Sequence, residues 1–113
     1  MDDKLQERII GHFEPEKVRR LEVEEWGEPG KPLVITYMPV TIDDVVTVSE
    51  LDGMSFDKQC ARIVVLKAMD ENGKRLFNMA DATSLRKRAA PEVVKKIALT
   101  MLGRLSQDEA AKN

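Results

Sequence analysis

The run CARIVVLKAM, Cys60 to Met69, is apolar on most sides when wound as a helix. Such a helix has no face to give to water, so other elements must cover it all round. The residues before it supply a start. Ser55 is a helix cap, and Phe56, Cys60, Ile63 and Val64 follow at helical spacing. The reading is a central helix from Ser55 that ends at Asp70. A strand pairing across Asn72-Gly73 is the rival reading, but a length of about fifteen residues favours the helix.

Cover must come from a short chain. With 113 residues there is enough for one ordinary domain and too little for two. Aromatics are 4% of the sequence, so aliphatic side chains and Met must fill the core. Before the central run, Leu5, Ile9 and Phe13 share one helical face, with Asp2 or Asp3 as N-cap. RRLEVEEW, residues 19 to 26, alternates: Leu21 and Val23 point one way, Arg20, Glu22, Glu24 and Trp26 the other. GEPGKP reads as a loop, and LVITYM, residues 33 to 38, as a second strand closing a hairpin. Thr41 caps a helix to about Asp52, with Asp43 and Asp44 in its first turn and Ile42, Val45 and Val46 on one face. The β-branched VVTV leaves a strand open there.

Beyond the Asn72-Gly73 turn, Leu76 and Phe77 are a buried-type pair that would plug the end of the core. Asn78 caps a short helix to about Arg88, with Asp81 at N3. Pro91 opens the last helix, whose stripe is Val94, Ile97, Ala98, Met101, Leu102 and Leu105. Gly103 weakens that helix by about 1 kcal/mol relative to Ala. The fold class is α+β: an N-terminal β-hairpin on a small bundle of about four to five α-helices. It is a single domain over 1–113, with the strand pair and loop at 14–40, the helical part at 41–105 and a flexible tail at 106–113.

Catalytic constellations are not legible. His12 and Cys60 lie in unrelated segments, one at a helix edge and one on an apolar stripe. No metal-ligand spacing appears, and GEPGKP lacks the GK[ST] ending of a phosphate-binding loop. No enzyme activity and no cofactor is expected. MDDKLQER is acidic and polar, unlike a secretory leader, and no apolar run approaches the ~20 residues of a membrane span. A single cysteine allows no internal disulfide, so a reducing cytoplasm is the simple setting.

Charge is unevenly spread. Residues 1 to 57 hold 14 acidic and 6 basic side chains, and residues 58 to 113 hold 6 acidic and 12 basic. Either the halves neutralise each other within the fold, or copies stack head to tail. The basic positions of the last two helices, Arg86, Lys87, Arg88, Lys95, Lys96 and Arg104, are candidate contacts. So is Trp26, as an exposed anchor or as a core residue closing the hairpin. An overall pI near 5.5 argues against nucleic acid.

The order of these pieces is specific. LEVEEWG, LVITYM, TIDD, the apolar helix, DENGKRLF, DATSLRKR and APEVVKKIALTMLGRLS follow one another. In that order the chain resembles the tail assembly chaperones of long-tailed bacteriophages over roughly residues 5 to 105. Val23 to Gly27, Asp70 to Phe77 and Pro91 to Val94 carry the likeness; the longer loop GEPGKP and the start DATSL depart from it. The resemblance implies a non-enzymatic protein of the host bacterial cytoplasm, absent from the finished virion. It would coat the tape measure protein and help recruit tail tube protein. It also implies a longer, frameshifted form, which Ala111-Lys112-Asn113 could encode through a slippery heptamer. A minor tail or connector protein and a small nucleic-acid-binding regulator are the competing classes.

Overall fold

The computed structural model describes residues 1–53 and 55–106. The expected flexible tail, with Ala111-Lys112-Asn113, lies beyond Ser106 and outside the described residues. In chain order the elements are α1 (Asp3–Phe13), β1 (Arg19–Glu28), β2 (Lys31–Tyr37), α2 (Ile42–Asp52), α3 (Phe56–Lys67), α4 (Asp81–Arg88) and α5 (Pro91–Met101). The α+β class, with a hairpin near the N-terminus and five helices among the described residues, is as expected from the pattern.

α3 is the centre. Cys60, Ala61, Ile63, Val64 and Val65 are all buried, and α2, α4 and α5 pack around it. From α5 come Val93, Val94, Ile97, Ala98 and Met101; of the stripe read from spacing, Leu102 and Leu105 lie past the end of the helix and are only half-buried, and Val93 is added. From the hairpin come Leu21, Val23, Ile35 and Tyr37, alternate residues on one face of each strand.

β1 and β2 pair antiparallel from Arg19↔Tyr37 to Val23↔Leu33, then again at Glu28↔Lys31. The expected six-residue loop is thus a two-residue turn, Pro29-Gly30. Pro sets φ at its first central position and Gly30 takes φ 73° at the second, the requirement of a type II turn. Between Val23 and Glu28 the register slips. That irregularity adds residues to one strand and turns Trp26 back toward the core, against the simple alternation. Trp26 is half-buried and meets Phe77 edge to face, ring centroids 6.3 Å apart. Leu76 packs on the core beside it, so the apolar pair after the turn does close the core's end.

α3 stops at Lys67, short of the expected Asp70. Met69 instead exchanges both backbone hydrogen bonds with Thr36, at 2.9 Å each, and bridges Arg75 across the turn. The strand reading of this segment therefore holds for its last residue. Asp70 organises the turn: its carboxylate accepts from the amides of Asn72 and Lys74, and Gly73 takes φ 82°.

The remaining ends follow local rules. Thr41 and Asp44 form a capping box at α2. Asn78 and Asp81 exchange the same pair of bonds, although regular helix starts only at Asp81. Gly103 proves to be a terminator rather than a weak helical residue. At φ 75° it donates to the Thr100 carbonyl while Arg104 donates to that of Leu99, a Schellman ending.

Two substitutions test this account of the hairpin and its seal. A Cβ on Gly27 would lie 2.6 Å from the Leu33 amide nitrogen and from Pro32 Cα, and would meet the Lys31 carbonyl oxygen too. Backbone cannot yield as a side chain can, so Gly27→Ala is expected to cost about 1–3 kcal/mol in urea denaturation. Phe77→Ala is expected to cost about 2–3 kcal/mol, less than a fully buried Phe, and to shift the fluorescence of Trp26, which it uncovers.

Candidate interaction surface

α2 is attached the wrong way round for an ordinary amphipathic helix. Asp44, Val48 and Asp52 lie at i, i+4 and i+8 and face the body of the protein. Val48 is the only buried residue of the helix. On either side of it a carboxylate meets a cation of α3. Asp44 Oδ2 accepts from Lys67 Nζ at 2.9 Å, and Asp52 Oδ2 from Arg62 Nε at 2.9 Å. The Asp52 side chain is only 7% exposed, so this pair works in a partly dry setting.

The aliphatic residues of α2 therefore face outward. Ile42 is 83% exposed, Val46 47% and Leu51 55%. The sequence pattern groups Ile42, Val45 and Val46 as one face, and the structure leaves that face in water. Two ion pairs and one valine hold the opposite face instead. Beside it, Phe56 is also exposed, with the Arg104 guanidinium 5.8 Å above its ring.

α1 leaves a second apolar stripe uncovered. Asp2 caps it and its spacing is as read, yet none of its residues is buried. Leu5, Ile9, Ile10 and Phe13 all stand open to solvent. The helix ends at Glu14 in the left-handed region, φ 51°, and the Arg19 guanidinium donates to the Phe13 carbonyl at 2.8 Å. Its C-terminal end is thereby tied to the start of β1.

A groove of about 360 Å³ runs between the starts of α3 and α5 and the end of α4. Ala61, Leu85 and Pro91 give it an apolar floor, and its rim mixes Lys58, Arg86 and Lys95 with the carboxylate of Asp57. Two of the six basic contact candidates, Arg86 and Lys95, thus share one site. Lys87 and Arg88 are exposed in the last turn of α4, where cations suit the helix dipole.

Other candidates are engaged within the chain. Lys96 is 11% exposed at its side chain and binds Glu25 of β1, tying hairpin to bundle. That Lys96 contact is the main cause holding the Glu25 carboxyl below its usual range. Lys95 bridges Asp57 at 3.0 Å. For Asp44, burial pushes the pKa up, but the Thr41 amide and Lys67 outweigh it and the net direction is down. Burial pushes the Cys60 thiol up, with Asp57 adding to it, which keeps the sulfur protonated and unreactive. Among the described residues no group of three or more His, Cys, Asp or Glu could hold a metal ion, and no helix is long and apolar enough to cross a membrane.

Comparisons with protein-family models, curated proteins and solved structures find no match to this chain.

The lowered carboxyls set a pH response. A carboxyl depressed in the folded state contributes stability above its ordinary pKa, 3.8 for Asp44, and loses it as pH falls through the folded value. Lys67→Met is expected to cost about 1–2 kcal/mol in urea denaturation at pH 7, between the values for exposed and buried pairs. That difference should shrink toward zero once Asp44 is protonated. An undiminished gap in strong acid would show that Lys67 acts through packing of its stem.

Proposed function

We propose that this chain is a non-enzymatic assembly chaperone that shelters a long, helix-rich client, the tape measure protein of a phage tail, and helps bring tail tube protein to it. The observation that carries this reading is the outward aliphatic face of α2. Leaving Ile42, Val46 and Leu51 in water gives up burial free energy of about 25 cal/mol per Å² of apolar area, which a client's apolar surface recovers. Two intramolecular ion pairs fix the helix in that pose, so the face is presented before any client arrives.

The sequence resemblance described above supports the same reading and supplies the client's identity. The placement of the basic residues supports a protein partner over nucleic acid. Lys95 and Lys96 neutralise carboxylates of their own chain, which removes them from a phosphate-binding set. On this reading the protein acts in the host bacterial cytoplasm and leaves before the virion is complete.

The test is capture of the full chain, tagged at its N-terminus, from cells expressing its neighbouring genes. A long helix-rich protein should be retained. Ile42→Asp with Val46→Asp should reduce its recovery by at least about tenfold while leaving the melting curve unchanged, because both side chains are exposed. Retention of no such protein, or equal retention by the variant, would overturn the reading. Stoichiometric presence of the chain in purified particles would make it a structural tail component instead.

A further inference from the structure

We propose that the client lies along α2 as an amphipathic helix with a carboxylate on one flank and a cation on the other, and that one of its aliphatic side chains fills a cavity beside Val45. This deepens the client reading of α2 and rests on it.

The cavity is the first observation. It holds about 90 Å³ and lies where α2 and α3 meet the residues that follow α5. Buried Cys60 and Ile63 form its floor, and Val45, Phe56 and Leu102 its walls. That volume is several times the roughly 10–15 Å³ that one water needs, so a leucine side chain fits. Val45 and Phe56 are 38% and 41% exposed, so the cavity opens onto the outward aliphatic face. Apolar walls hold water poorly, and a pocket set in an apolar face is where an interface concentrates its binding energy.

The second observation is the charge on either side of that face. At about 100° per residue, the surface of α2 runs from buried Val48 through Val45 to Ile42 and Val46, and then to Glu50 and Asp43. Exposed carboxylates therefore follow the outer flank of the aliphatic stripe. On the inner flank stands Arg104, its guanidinium 5.8 Å from the Phe56 ring centroid at the cavity mouth. Among the described residues Asp43, Glu50 and Arg104 form no salt bridge. The ring positions the guanidinium without neutralising it, and its planar fork suits a carboxylate.

These charges define the occupant. Ile42 and Val46 stand one turn apart, which suits the i, i+4 side chains of a partner helix. A carboxylate three or four positions from the anchoring side chain lies about 5–6 Å from it, within reach of Arg104. A wholly acidic or wholly basic helix meets like charge on one flank, and so does a nucleic-acid backbone at Glu50 and Asp43.

The experiment measures fluorescence anisotropy of labelled model helices, stapled on their outer side and about 18 residues long, with the full chain. All carry the same leucine stripe. One has Glu along one flank and Lys along the other, one has Glu on both, and one has Lys on both. The mixed helix should bind at least about fivefold more tightly than either of the others, and Arg104→Glu should move the preference to the Lys helix. Val45→Phe should weaken the mixed helix about tenfold with an unchanged melting curve, because it plugs the cavity from an exposed wall. A flat apolar patch would gain from the larger side chain instead. Equal binding of all the helices, binding of none, or undiminished binding by Val45→Phe overturns the proposal and leaves the client reading standing on its own capture test. Tight binding of the mixed helix that survives Ile42→Asp with Val46→Asp places the site elsewhere, and overturns both.

Discussion

Everything in this molecule follows from α3 needing cover on every side. Cys60, Ala61, Ile63, Val64 and Val65 present apolar surface in all directions around the axis, and each direction is met by a different element. α5 lays its valines, isoleucine and methionine along one side. The hairpin brings four alternate residues to the core, while α4 and the Leu76-Phe77 pair close the rest. A short chain with few aromatics meets this demand by committing Leu21, Val23, Ile35, Ile63, Val64 and Ile97 to the centre, while Ile9, Ile10 and Ile42 stay exposed.

That commitment explains how the remaining helices are held. α2 reaches α3 through Asp44–Lys67 and Asp52–Arg62 around a single buried valine. Partly buried pairs of this kind gain less net stability than an apolar contact of equal area, because both ions must shed water. They do fix orientation, since each carboxylate is held at 2.9 Å by a cation of α3. The same logic ties the hairpin to α5 through Glu25 and Lys96. Polar attachment leaves the aliphatic side chains Ile42, Val46 and Leu51 outside.

Local signals were legible wherever a single residue's backbone chemistry decides the outcome. The Thr41–Asp44 capping box, Ser55 and Asp2 as caps, Pro91 at a helix start and the Asn72-Gly73 reversal all lie where their side chains require. Errors arose where two neighbours compete. Gly103 looked like a cost within a helix because spacing carried the stripe on to Leu105, whereas the left-handed ending won. Strict alternation points Trp26 outward, and of its two readings the core residue closing the hairpin holds, because a slipped register returns it to Phe77. The basic residues were visible as clusters, but their partners Glu25 and Asp57 are 71 and 38 positions away along the chain, beyond any local pattern.

The sequence alone determined the element types, their order and the identity of the central helix, because periodicity, caps and turn residues act within a few positions of one another. Only the tertiary structure decided which face of α2 turns inward and that α1 turns none. A helical stripe states that one face is apolar; it does not state what is left to cover it. Once α5 and the hairpin had filled the surroundings of α3, α2 could approach only where Lys67 and Arg62 offered charge, and its aliphatic face stayed in water.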